Sequence, residues 1–301
     1  MDTPIETLTD LEKKASAGEA LTRDEAERVL KWPALPEIGM LGEAARKGRA
    51  GDRVTYGRVL TIAPGDSPAS RAEAVEVRLI GVPASVEDAC ERVRTATAIA
   101  AGATLTAYSL ADLLDLVGSD HLALAHLAAA LRAHGLEAVA EVPLDRLGDT
   151  DNAIEVVRAV LHGGLNAWRA TVDRGPAESR LDLIERAAVI QRETGALKAF
   201  APLPRIEDPA VPSTGYDDVR TIAVAALMCP SIPAIQVDWP LYGPKLAQVA
   251  ITYGANDIDG VSPIDSLDQG TRRAPREDVE RQIRAAFAVP GARDGRYGPR
   301  S

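Results

Sequence analysis

Strand-like and helix-like runs alternate along most of the chain. The apolar runs VTYGRVLTI (54–62), AVEVRLIG (74–81), TLTAYSL (104–110) and EAVAEVPL (137–144) read as strands. AWRATVD (167–173), LKAFAPL (197–203), AIQVDW (234–239) and the short DIDGV (257–261) continue the series. Helical patterns lie between most of them, at 85–100, 111–117, 120–134, 151–162, 177–194, 216–228 and 243–253, with a last helix at 276–288. A strand–helix order repeated this often implies a parallel sheet, and about eight units in roughly 250 residues imply closure into a barrel. Ahead of the first strand, Thr22 and Glu25 have the spacing of a capping box, and the helix they open stops before Pro33. A second helix spans 36–47. The predicted fold is thus α/β, a TIM-type (β/α) barrel over 49–301 with a C-terminal helix, preceded by a helical lead-in at 1–48.

Alternation within each strand assigns side chains to two faces. In AWRATVD, Trp168, Ala170 and Val172 form the apolar set that meets the helices, so Arg169, Thr171 and Asp173 turn inward. The same rule turns Glu76, Arg78, Glu141, Lys198, Gln236 and Asp238 inward. Glu141 and Arg169 sit on neighbouring strands and are expected to pair. Buried charges cost several kcal/mol unless paired, and an inert lumen is filled with Val, Ile and Leu instead. Arg78, Glu141, Arg169, Asp173, Lys198 and Asp238 are therefore candidate ligand-binding residues, with a purely structural ion-pair network as the competing reading. Lys198 is the candidate base or Schiff-base amine, and Glu141 or Asp238 its acid/base partner.

Composition narrows the function classes. A net charge of −10 disfavours a nucleic-acid partner, since phosphate contacts need clustered Lys and Arg. Aromatic residues make up 4%, so aliphatic and Ala packing must build the core. Cys90 and Cys229 are the two cysteines, far apart in sequence and too few for a zinc or iron–sulfur site, so no metal is expected. The acidic start MDTPIETLTD lacks a signal-peptide pattern, and no apolar run reaches the ~20 residues that span a bilayer. The expectation is a cytoplasmic protein with no membrane contact. His121, His126, His134 and His162 fall in helical patterns, away from strand ends.

The segment GANDIDG (254–260) follows the run PKLAQVAITY and the stretch WPLYG (239–243). This order resembles the end of the barrel in aminofutalosine synthase and dehypoxanthine futalosine cyclase, radical-SAM enzymes of the futalosine route to menaquinone. SRLDLIERAAVIQRETGALKAFAP (179–202), DDVRTIAVAALM (217–228) and the tail RDGRY carry the resemblance further. It implies a radical-SAM barrel, with Asn256, Asp257 and Asp259 at the mouth, where the carboxylates, Asp257 above all, face ribose hydroxyls or a cation unless one of them caps the following turn.

Three departures qualify that implication. The family holds a 4Fe–4S cluster with CxxxCxxC after the first strand, where this chain has Pro64, Gly65, Asp66, Ser67 and Pro68. The glycine-rich turn after the second strand is reduced to Gly81-Val82-Pro83, which weakens the case for SAM. In place of a His- and Glu-bearing turn stands DRGPAE, with Glu178 in the position of the Glu. The resemblance then implies a cluster-free homologue, a ligand-binding or accessory protein linked to menaquinone biosynthesis and paired with an active paralogue. Its ligand would be small and polar, nucleoside-like or chorismate-derived. The alternative is an enzyme with acid/base or Schiff-base chemistry at the barrel mouth.

Overall fold

Three helices precede the first strand: α1 (Leu8–Ala17), α2 (Arg23–Leu30) and α3 (Leu35–Ala50). They belong to a computed structural model that describes residues 7–66, 68, 70–175, 179–206, 214–265 and 276–300. The capping box forms as its spacing predicts. Thr22 Oγ1 accepts from Glu25 N at 3.3 Å, and Glu25 Oε2 accepts from Thr22 N at 2.7 Å. α1 shows little periodicity in the sequence, because Leu11 and Ala15 are its buried residues.

Eight parallel strands then close in sequence order: β1 (Arg53–Ile62), β2 (Glu76–Leu79), β3 (Thr104–Ser109), β4 (Ala138–Pro143), β5 (Arg169–Val172), β6 (Ala199–Pro204), β7 (Ala234–Asp238) and β8 (Asp257–Val261). β8 pairs back onto β1, which completes the barrel. Around it run α4 (Val86–Ala100), α5 (Leu110–Leu116), α6 (His121–Ala133), α7 (Thr150–His162), α8 (Arg180–Thr194), α9 (Gly215–Met228), α10 (Trp239–Thr252) and α11 (Arg276–Ala285). α2 and α3 pack against α9 on the outside, and α1 packs on α3. Contact there is tight: a Cβ on Gly42 of α3 would lie 2.3 Å from the Tyr253 carbonyl oxygen, so only glycine fits.

One strand was not expected. β9 (Val289–Ala292) runs parallel to the lower half of β1, with Arg53 opposite Val289 and Tyr56 opposite Ala292. The upper half of β1 pairs instead with β2, Val59 opposite Glu76. β9 delivers the next residues to the N-terminal end of the barrel, which they cover as a floor. Arg293 is 1% exposed and enters the lumen past Gly57, where a Cβ would lie 2.6 Å from the guanidinium carbon. Tyr297 stacks on that guanidinium at 4.2 Å. Arg296 donates to Glu137 Oε2 at 2.7 Å. Read from sequence, this segment looked like a plain tail, because it is too short and too rich in glycine to show a period.

The floor generates a stability prediction. Arg293 donates to Asp257 Oδ2 and Asp259 Oδ1, both at 2.8 Å, and both acids are fully buried. Arg293→Met removes one partner of a buried ion pair, so a loss of about 3–5 kcal/mol is expected in urea unfolding. An unchanged midpoint would show that the segment does not seal the barrel.

Candidate functional site

The lumen is filled by charge rather than by aliphatic side chains. On the floor, Asp257 accepts from Thr55 Oγ1 at 2.5 Å, Gln236 Nε2 at 2.7 Å and Arg293 Nε at 2.8 Å. One layer up, Asp259 takes Arg78 Nη1 at 2.7 Å and Arg293 Nη2 at 2.8 Å, with Arg169 Nη2 at 3.4 Å. Arg78 also donates through Nε to Glu76 Oε1 at 2.8 Å, and Thr106 Oγ1 donates to that same oxygen at 2.7 Å. Arg169 donates through Nε to Gln236 Oε1 at 2.8 Å. Burial alone would raise the pKa of Asp259, but Arg78, Arg169 and Arg293 outweigh it and hold the group well below the usual carboxylate range.

The C-terminal mouth lies above this lattice. Arg205, one residue beyond β6, bridges Glu141 Oε1 and Asp238 Oδ2, each at 3.2 Å. Asp238 also caps α10 by accepting from Leu241 N at 3.2 Å. Three buried polar atoms here lack a hydrogen-bond partner among the described residues: Arg169 Nη1, Ser109 Oγ and Thr171 Oγ1. Ser109 is in register with Glu141, and Pro143 with Thr171, so the three surround the upper end of β4. Just before Ser109, Tyr108 has φ +61°, a left-handed backbone that a bulky residue adopts at a cost. Its ring leaves the lumen for α4, where its hydroxyl donates to the Ala89 carbonyl at 2.9 Å. The upper lumen thus holds one guanidinium nitrogen, Arg169 Nη1, that makes no hydrogen bond among the described residues and lies 3.7 Å from Glu141 Oε1.

The structure places the predicted residues unevenly. Arg78, Arg169 and Asp238 face the lumen, and Glu141 and Asp173 stand at its rim. The expected Glu141–Arg169 pair is present at 3.7 Å, the longest of the ion-pair contacts Arg169 makes. Lys198 is at the wrong end. It precedes β6 at the N-terminal rim, its Nζ donates to the Arg296 carbonyl at 3.0 Å, and it lies 4.7 Å from the Trp168 ring centre. Alternation gave its face but not its height, so it does not meet Glu141 or Asp238.

Asn256 and Asp257 are also away from the mouth. Asn256 ties the start of β7 to β8, accepting from Ile235 N at 2.7 Å and donating to the Pro233 carbonyl at 2.9 Å. Asp257 is sealed beneath Arg293. Glu178 lies outside the described residues. Sequence reasoning missed Arg205, Arg293 and Arg146. Arg205 sits at the C-terminal end of a strand, the position where barrel sites gather, and was legible on that ground.

Asp173 is different in character. Burial raises its pKa, the charges of Glu141 and Asp145 add to this, and Arg146 at 3.6 Å opposes it. Asp145 itself accepts from the backbone N–H groups of Asp173, Arg174 and Gly175 at 2.8–3.1 Å, which fixes the loop that carries Asp173.

The closed eight-stranded barrel is a fold shared with solved structures. Methylornithine synthase (PylB) superposes with a TM-score of 0.66 at 16% identity, covering 93% of this chain and 97% of its own. The FeFe-hydrogenase maturase HydG from Carboxydothermus hydrogenoformans gives 0.66 at 12% identity, covering 96% and 80%. At these identities the likeness establishes the fold.

In sequence, part of the chain is similar to an aminodeoxyfutalosine synthase. It is 31% identical to that of Streptomyces coelicolor over 140 residues, 39% of this chain and 36% of the relative. It is also 30% identical over 156 residues to the 5-amino-6-(D-ribitylamino)uracil–L-tyrosine 4-hydroxyphenyl transferase of Archaeoglobus fulgidus, 48% of this chain and 43% of the relative. The matches thus span less than half the length of these relatives. No family model matches the chain. The chain is thus similar to a member of the futalosine-pathway family that its sequence resembles, and to a second group of enzymes besides.

Two predictions follow from the geometry of the site. Arg169 touches three carboxylates and a glutamine, whereas Glu141 is partly exposed. Arg169→Met should cost about 3–5 kcal/mol and Glu141→Gln about 1 kcal/mol or less in urea unfolding. Equal losses would mean that the 3.7 Å contact dominates after all. For Asp173 the folded pKa lies above the unfolded one. Its contribution is therefore present below the ordinary carboxylate range and is lost as pH rises through the folded value. Asp173→Asn should raise the Tm at neutral pH, with the difference vanishing near about pH 3. A lower Tm at neutral pH would show that Arg146 holds the charged form.

Proposed function

We propose that this chain is a cluster-free relative of the futalosine-pathway barrels, a cytoplasmic protein that binds a small polar ligand at the C-terminal mouth. It serves as a binding or accessory protein of menaquinone biosynthesis, beside a catalytically active paralogue. The ligand is nucleoside-like or chorismate-derived. The observation that carries this reading is the β1–β2 connection, residues 63–75, which contains no cysteine. Its Asp66 carboxylate accepts from Ala63 N at 2.9 Å and is spent on the turn itself. The usual ligands of a 4Fe–4S cluster are cysteine thiolates.

The two cysteines lie elsewhere. Cys90 is on α4, and Cys229 ends α9, fully buried, with burial pushing its thiol up to about 12. Among the described residues no group of three His, Cys, Asp or Glu side chains is placed to hold a metal ion. At the end of β2 the Ile80 carbonyl already accepts from Arg92 Nη2 at 2.7 Å, which leaves less of that turn for the amine of SAM.

The mouth supports the binding half of the proposal. Arg169 Nη1 is a fully desolvated donor in need of an acceptor, and burying a polar group unsatisfied costs about 1–3 kcal/mol. A ligand oxygen would relieve it. Glu141 offers acceptor oxygens beside it, and Arg205, 22% exposed, is the side chain that can move to admit the ligand. Schiff-base chemistry loses its amine, because Lys198 is at the opposite end of the barrel. Asp238 is held by two guanidiniums and a helix N-terminus.

The test is direct. Anaerobic reconstitution with iron and sulfide should yield no stoichiometric cluster, whereas a matching iron count and cluster absorbance would overturn the proposal. In thermal shift against futalosine intermediates, SAM and chorismate-like acids, a true ligand at 100 times its Kd should add about 2.7 kcal/mol. Glu141→Gln should remove that gain.

A further inference from the structure

In this barrel the connection from β1 to β2 carries no helix among its described residues, whereas β2 through β8 are each followed by one. The outer face of β1 and β2 is therefore not covered in the usual way. At its upper end a cavity of about 490 Å³ lies between this connection and α4. Its walls are Ile62, Pro64, Leu79, Val82, Ala96 and Ile99. Ile62 and Leu79 point away from the lumen, on the opposite face to Arg78, so the cavity and the mouth are separate sites. Val82, 68% exposed, stands at the entrance.

We propose that this cavity binds a small, uncharged, apolar molecule. The volume falls in the range of ligand pockets, about 300–1,000 Å³, and such pockets are mostly apolar with a few polar groups at their edge. The edge here is already committed. Asp66 accepts from Ala63 N and Asp88 from Ala84 N, both at 2.9 Å, and Arg92 donates to the Ile80 carbonyl at 2.7 Å. Glu91, also at the rim, is paired with Arg94 at 2.6 Å. Among the described residues the rim thus offers an anion no free cation and presents three carboxylates that repel it. An apolar body gains by displacing water from the aliphatic walls.

The probe is N-phenyl-1-naphthylamine, an uncharged dye whose fluorescence rises in apolar surroundings, titrated into the intact chain. Two variants act from α4. Thr95→Trp fills the cavity from an exposed position, and Ile99→Asp makes its wall polar. Val249→Asp is the control, placed in a second apolar groove beside Tyr216 and Leu246. One dye per chain is expected, with Kd raised by at least about tenfold in each α4 variant and unchanged in Val249→Asp. The sulfonated anion 8-anilinonaphthalene-1-sulfonate should bind at least about tenfold more weakly than the neutral dye. Wild-type dye binding in both α4 variants, loss of binding in Val249→Asp, or equal binding of the anionic dye would each overturn the proposal. Two substitutions at partly exposed positions keep the test valid if one of them fails to fold.

Discussion

Asp259 is the charge on which the barrel interior depends. It is fully buried, and guanidiniums from β2, β5 and the segment after β9 converge on it. Alone, such a carboxylate would take up a proton. Surrounded by three cations it stays charged and fixes all three in turn. Its stability contribution is present above the ordinary carboxylate range and is lost only as pH falls through its depressed folded value, in strong acid. Strand order and register bring the backbone into position, but this one acid sets where the arginines point.

The same lattice explains why the mouth is chemically unequal to the floor. Below Asp259 the polar groups saturate one another through Thr55, Gln236, Asp257 and Arg293. Above it the saturation fails at Arg169 Nη1, Ser109 Oγ and Thr171 Oγ1. A lattice built only for stability would close at both ends. The strained Tyr108 backbone points the same way, since it carries a large ring away from the three groups that lack a hydrogen bond. Strain and orphaned donors at one place are more consistent with a site than with packing.

The fold was largely legible because it rests on two periods, 2 for the strands and 3.6 for the helices, and both are written in aliphatic residues. Every strand from β1 to β8 matches a run read from the sequence, with β1 and β6 each one residue longer at one end. β9 was not legible: four residues, VPGA, show no alternation. The site was legible in direction but not in depth. Alternation correctly turned Arg78, Arg169 and Asp238 inward, yet it could not say that Lys198 and Asp257 lie near the floor, because height along a strand depends on the stagger of the barrel. GANDIDG was rightly singled out, but its residues are mostly structural. Gly254 packs against Ala226 and α3, Asn256 ties β7 to β8, and the two aspartates hold the lattice together.

The lattice also has a consequence for how the chain comes to be folded. Asp259 lies 181 residues after Arg78, and Arg293 follows 34 residues later still. During synthesis Arg78 and Arg169 emerge with no acid of β8 to meet them, and when Asp259 appears its third cation has yet to be made. The hydrophobic strands can associate early, but their inner face stays electrically incomplete until β9 is available. Contacts of such long sequence separation slow folding. The buried lattice is therefore completed late, once β9 and the segment after it are made.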